Sequence, residues 1–203
     1  MPVGAVDADP SDILVLHAVR ILGYAETARI AARFALPAGL AAEHLLDAEA
    51  RGWVTHTDFA GDSGWSLTET GKVHGERLLA AELDRCGSRA VVVQVHQDFL
   101  PHNVAVADAC TAWQLAEMGL GEATVTLDET ITRLATAAHD LGELEARLVA
   151  GMDRFAGYHH RFAGAVERAG TDPGWITATD RDSCQRVWFE FHEDLVASLG
   201  LAR

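Results

Sequence analysis

Apolar residues recur at helical spacing along most of the chain, and one segment near residues 52–67 breaks that pattern. A first helix is expected from Ile13 to Leu22. Ser11 or Asp12 can cap it after Pro10, and Gly23 ends it. Its apolar residues cover most of its circumference, so it should lie buried between neighbours. A second helix, Glu26–Phe34, puts Ile30, Ala31 and Phe34 on one face. A break at Ala35–Gly39 precedes a third, Leu40–Arg51, with Ala41, Leu45 and Ala48 inward. Gly52-Trp53-Val54 then starts a strand. The run Thr55–Ser66 reads as a hairpin turning at Gly61-Asp62-Ser63-Gly64, whose residues tolerate tight turns. Thr68-Glu69-Thr70 supplies oxygens to cap a helix from Gly71 to about Cys86.

The second half is helical in pattern throughout. Ser88 to about Phe99 is valine-rich and could be a strand, but it continues into Asn103–Glu117, which favours one helix bent at Pro101. Gly119 and Gly121 mark a loop. Thr126-Leu127-Asp128-Glu129 is a capping box. It opens a long helix with Ile131, Leu134, Ala138, Leu141, Leu144 and Leu148 inward, ending near Gly151. Phe155, Tyr158, Phe162 and Val166 carry an apolar stripe onward. A loop at Gly170–Thr179 precedes a last helix from about Arg181 to Leu199.

The order of the first half is joined by two local runs, Leu45-x-x-Ala-x-x-x-Gly52-Trp53-Val54 and Leu67-Thr68-Glu69-Thr70-Gly71. Over roughly Ile13 to Leu83 the chain resembles MarR-type regulators. The resemblance implies a winged helix-turn-helix with a small β-hairpin wing over residues 1–87; with the helical pattern of residues 88–203, expected to form an all-helical domain for ligand binding and dimerisation, the protein should be mainly α. It also implies a homodimer that binds double-stranded DNA and answers to a small-molecule effector, and with no signal or membrane-span pattern the protein is expected to be cytoplasmic. In that family the third helix enters the major groove and the wing lies along the backbone. By position, the base readers would be Ala38, Gly39, Leu40, Ala42 and Glu43.

Charge changes that picture. The net charge is −14, with a single lysine, Lys72. Such a field repels polyphosphate. Base readout relies on Arg, Lys, Asn and Gln, and of the positional readers only Glu43 could read a base edge. No arginine or lysine lies between Arg51 and Lys72, so the wing is acidic. Phosphate contacts would fall to Arg29, Arg33, Arg51 and Lys72, with Arg20 in support. An alternative function stays open: a winged-helix protein that has given up DNA and binds a small molecule or a protein. Fold alone does not choose between them.

Polar aromatics concentrate in the C-terminal half. Trp113, Tyr158, His159, Trp188 and His192 could wall and orient a small-molecule pocket between helices. Core packing is the competing explanation. Glu190 and Asp194, four apart, share a helix face as metal ligands do, but no His-x3-His or Glu-x-x-His pair accompanies them. No metal, cofactor or catalytic residue is assigned, since no hydrolase elbow, P-loop, dinucleotide fingerprint or paired-cysteine motif is present. Cys86, Cys110 and Cys184 lack motif spacing and read as reduced thiols. Of the three, Cys86 stands beside Arg85 and Arg89 and is the candidate for redox sensing. No stretch reaches the ~18 apolar residues of a membrane span, and no signal-peptide pattern opens the chain.

Overall fold

The computed structural model describes residues 10–59, 61–120 and 125–201. It is mainly helical with one small antiparallel sheet. The chain separates into two compact units. One holds the chain up to Arg85 and the C-terminal residues from Ala197; the other is Cys86–Val196.

The first unit runs α1 (Pro10–Leu22), β1 (Tyr24–Ala25), α2 (Thr27–Arg33), α3 (Ala38–Ala50), β2 (Val54–Phe59), β3 (Asp62–Leu67) and α4 (Glu69–Cys86). α1 is buried on most of its surface, as its all-round apolar pattern requires: Val15, Leu16, Ala18, Val19 and Ile21 join Ile30, Ala41, Leu45, Val54 and Trp65 in one core. α3 starts two residues before the expected Leu40. Its inward stripe is Ala41, Leu45 and Ala48. Gly52, at φ 72°, turns the chain out of α3 into β2, a conformation that costs glycine least.

Two features of the sheet differ from expectation. β1, only two residues long, pairs with β3 at Tyr24↔Ser66 and Ala25↔Trp65, giving the order β1-β3-β2. The β2–β3 ladder continues to Phe59↔Asp62, so Asp62, Ser63 and Gly64 belong to a strand rather than the turn. Gly64 is there for a close approach: a Cβ on it would lie 2.5 Å from the Tyr24 ring. The hairpin root is clamped by Thr68, whose hydroxyl donates to the Gly52 carbonyl at 2.7 Å and accepts from the Gly71 amide at 2.9 Å. That second bond caps α4.

The second unit comprises α5 (Arg89–Glu117), α6 (Leu127–Val149), a 3-10 turn (Asp153–Phe155), α7 (Tyr158–Ala169), α8 (Gly174–Thr177) and α9 (Cys184–Leu199), whose last turn belongs to the first unit. α5 is one helix passing through Pro101. Proline offers no N–H to the carbonyl four residues back, and Gln97, which carries that carbonyl, is exposed. The capping box forms: the Glu129 amide donates to Thr126 Oγ1 at 3.2 Å and the Thr126 amide to Glu129 Oε2 at 3.0 Å. α8 lies within the expected loop, and α9 starts three residues later than expected.

Candidate functional site

Exposed α3 and the β2–β3 hairpin form the surface on which a nucleic-acid interface would be built. Ala38, Gly39 and Glu43 all face solvent, as do Leu46, Asp47, Glu49 and Ala50. Thr55 to Phe59 of β2 are exposed beside them, and the His56 amide donates to Glu49 Oε1 at 3.3 Å, tying α3 to the hairpin. This surface is acidic through Glu43, Asp47, Glu49 and Asp58. It is also partly apolar: Leu46 is 59% and Phe59 78% exposed.

The cations expected to hold phosphate are dispersed. Arg51 is exposed at the end of α3, with its guanidinium 5.1 Å from the Trp53 ring and 3.7 Å from Asp47. Trp53 in turn stacks on His74 at 3.8 Å. Burial, then the neighbouring Arg77 and Arg51, hold the His74 pKa below the ordinary imidazole value. Arg33 is half-buried at the end of α2, 4.5 Å over Phe34, whose ring stacks on His17 of α1. Arg29 is half-buried on α2. Lys72 lines a small recess with Ile13, His17, Arg20 and Glu76, where Arg20 pairs with Glu76 at 3.5 Å. Arg51, at the C-terminal cap of α3, is therefore the one of the four that adjoins that helix. An open cleft of about 280 Å³ lies between α2 and the hairpin, lined by Glu26, Thr27, His56, Ser63 and Trp65. His56 Nε2 lies 3.0 Å from Ser63 Oγ, and Trp65 Nε1 donates to Thr27 Oγ1 at 3.0 Å.

In the second unit the aromatic residues named as pocket walls are mostly packed against one another. Tyr158 meets Phe191 edge-on at 5.1 Å. Phe99 contacts Trp188 at 5.1 Å and Phe191 at 5.3 Å, and Phe162 contacts Trp188 at 5.2 Å. Trp188 Nε1 donates to Asn103 Oδ1 at 3.1 Å. His192 is half-buried, stacked on His96 at 6.2 Å and tilted on Phe99 at 5.3 Å. Burial lowers the His96 pKa. His159 faces solvent at the start of α7, where its amide donates to Glu145 Oε2 at 2.6 Å. Trp113 is half-buried, and its buried Nε1 has no hydrogen-bond partner among the described residues. Tyr158, Trp188 and His192 thus belong to one aromatic core, from which exposed His159 stands apart. A cavity of about 170 Å³ elsewhere in this unit is lined by Ser88, Val91, Val92, Arg147, Leu148 and Gly151.

The sequence reading missed the buried ion pairs. Asp194 is wholly buried, holds Arg154 and accepts from the Tyr158 hydroxyl at 2.7 Å. Glu190, 1% exposed, accepts from Arg161 at 2.6 Å and lies 3.5 Å from Arg186; Arg161 also binds Asp182 at 2.9 Å. The two acids considered as metal ligands are thus engaged by arginines. Their trace in sequence is an acid pair four apart and an arginine pair seven apart, a pattern that any solvated helix can show. Among the described residues, no group of three or more His, Cys, Asp or Glu is placed to hold a metal ion. Cys110 and Cys184 are buried, which pushes both thiols up to about 12, while Cys86 is exposed. No helix of the described residues is long and apolar enough to cross a membrane.

Compared with protein-family models, curated proteins and solved structures, the chain matches none.

Proposed function

We propose that the first unit is a winged helix-turn-helix and that the protein is a MarR-like transcriptional regulator acting on double-stranded DNA in the cytoplasm. The observation that carries this reading is the order α1-β1-α2-α3-β2-β3-α4 with the sheet order β1-β3-β2. It leaves α3 exposed as a recognition helix and β2–β3 as a wing. Small residues at Ala38, Gly39 and Ala42 let the start of α3 approach a groove wall closely. Arg51 supplies charge at the C-terminal cap of the same helix, and Arg29 on α2 adds a second contact. With so few cations, affinity is modest and specificity rests on groove shape more than on base edges. A small effector would act in the helical unit, at the cavity beside Ser88 and Arg147, since Tyr158 and Trp188 are packed. At about 170 Å³ that cavity is below the usual size of ligand pockets, ~300 Å³, so the effector would be small.

Fluorescence anisotropy with random-sequence duplex DNA tests this reading. Binding should be measurable at ~50 mM salt and fall steeply by ~200 mM, as counterion release requires. No binding at the lower salt overturns the reading. A second reading, a protein-docking module on the same scaffold, is favoured by the exposure of Leu46 on α3 and Phe59 on the wing. An apolar contact of that kind would survive high salt, which distinguishes the two.

A further inference from the structure

Acidic residues outnumber lysines and arginines 30 to 16 in this chain, so an arginine placed without constraint meets a carboxylate. Many do: Arg20 pairs with Glu76, Arg147 with Asp98, and Arg181 with Asp172 and Asp180. Arg77 differs. Exposed on α4, it makes no salt bridge among the described residues, and its guanidinium donates to His74 Nδ1, one turn back, at 3.2 Å. A guanidinium cannot accept a hydrogen bond. His74 Nδ1 is therefore the acceptor, the ring is neutral, and its proton sits on Nε2. That N–H has no partner among the described residues and is open to solvent. The face of the ring is taken: it stacks on Trp53 at 3.8 Å, and Arg51 stands 5.1 Å from the same indole. The backbone holds this stack in place. The Thr68 amide donates to the Trp53 carbonyl at 2.9 Å, and Gly71 lies so close to that carbonyl that a Cβ would clash with it. Both contacts press the first turn of α4 onto Trp53, which seats His74 over the indole.

We propose that Arg51, His74 and Arg77 form a binding site for adjacent phosphoryl groups at the root of the hairpin. The guanidinium fork matches the oxygens of a phosphate, and the His74 Nε2–H is a third donor. Arg51 touches the indole and Arg77 the imidazole, so the two cations are spread along the stack. A ligand with more than one phosphoryl group engages both. Two sources present that chemistry: a free diphosphate and the backbone of a nucleic acid. The site does not rest on the DNA reading. Cations gathered around one imidazole cost free energy unless an anion joins them. Burial, then Arg77 and Arg51, hold the His74 pKa down. The acids in reach offset this weakly. Asp47 of α3 lies 3.7 Å from Arg51, with both side chains exposed. Asp12 of α1 raises the His74 value least of these effects and is itself engaged by His44 of α3 at 2.6 Å. A phosphate bound here stabilises the imidazolium, so binding raises the His74 midpoint and affinity grows as pH falls through it.

Pyrophosphate is the probe for the free source and random-sequence duplex DNA for the backbone, each followed by NMR titration of the His74 ring in the full chain. Pyrophosphate should move the His74 midpoint up by about one pH unit. It should bind with a dissociation constant on the order of 1 mM at low salt, and more tightly than inorganic phosphate. Arg77→Gln, at an exposed position, should weaken it by more than about tenfold with the circular dichroism melting curve unchanged. His74→Phe keeps a ring on Trp53 and removes the donor, so it should weaken binding and erase its pH dependence. A midpoint unmoved by ~20 mM pyrophosphate overturns the inference. So does an equal shift in potassium chloride of the same ionic strength, or an Arg77→Gln variant that binds as the parent does. Duplex DNA that shifts the same ring and is displaced by pyrophosphate identifies the backbone as the source. Pyrophosphate binding without DNA binding leaves the site standing for a free diphosphate and removes the DNA reading alone. DNA binding with the His74 ring unmoved by either ligand removes the site alone.

Discussion

Asp194 shows what a single side chain commits the helical unit to. Its carboxylate has no solvent exposure and is held by Arg154 and Tyr158. Removing one partner strands a buried charge, which costs about 3–5 kcal/mol, whereas an apolar pair of similar volume is often tolerated. Asp194→Ala should therefore lower the urea midpoint severely. Arg154→Met with Asp194→Leu should recover most of that loss, and retention of the full loss in the double variant would contradict a role confined to this pair. At Gly71 the constraint is backbone against backbone: a Cβ there would lie 1.9 Å from the Trp53 carbonyl oxygen. Gly71→Ala should destabilise the first unit by more than the ~1 kcal/mol that a helical Gly→Ala change usually gains, with Gly75→Ala, where nothing lies within 4 Å, as the benign control.

Among the elements, the second unit carries carboxylates and an imidazole that all respond to acid in the same sense. Hydrogen bonds from Arg147 and then Gln94 hold Asp98 below the usual carboxylate range, and the Thr126 amide and hydroxyl do so for Glu129. Burial lowers His96. Each group is deprotonated more readily in the folded chain, so its contribution is complete above its unfolded pKa and is lost as pH falls through the folded value. Melting temperature should hold between about pH 6.5, the free imidazole value, and about 8.5, the free thiol value, and decline in two stages on the acid side, first with His96 and then below the free carboxylate values of about 4. Thr126→Ala should remove about 1 kcal/mol and flatten the second stage, followed by calorimetry against pH. A melting temperature that rises on acidification would contradict the assignment.

Much at the element scale could be read from the sequence. The hairpin and the helix after it follow from Gly52, Thr68 and Gly71. The two-residue β1 has no period to read. Gly64 reads as a turn residue because sequence does not separate conformational freedom from room for a neighbouring ring, and here it serves the Tyr24 ring. Of the polar aromatics of the second half, Tyr158, Trp188 and His192 join one aromatic core while His159 faces solvent. Whether they wall a cavity or fill a core depends on distances between helices far apart in sequence. Glu190 and Asp194 resemble metal ligands until Arg161 and Arg154 arrive from 29 and 40 residues away.

For the whole molecule, charge sets which partners can approach. Glu43, Asp47 and Glu49 stand on the exposed side of α3, and Asp47 lies 3.7 Å from Arg51. Neutralising them as Glu43→Gln, Asp47→Asn and Glu49→Gln should raise affinity for random duplex DNA by roughly tenfold at low salt and steepen the salt slope by about 1, as Arg51 becomes available to phosphate. Glutamine at 49 keeps an acceptor for the His56 amide. An unchanged slope would place DNA, if bound, on some other surface. The Arg20–Lys72 recess is the natural comparison, since Lys72→Gln should then be the variant that abolishes binding.

The Thr68 clamp fixes how the hairpin can come apart in time. Its root is tied to Gly52 and Gly71 and carries buried Val54 and Trp65, while at its far end exposed Phe59 is paired with Asp62. Amide protons should therefore trade with solvent deuterium in order of distance from Thr68, earliest near Phe59 and last at Val54 and Leu67. Replacing Thr68 with valine, which fills similar space but neither donates nor accepts, should flatten that gradient and lower the stability of the unit by the ~1 kcal/mol of a lost helix cap. The hairpin is in effect a spring anchored at one end, and Thr68 is its anchor.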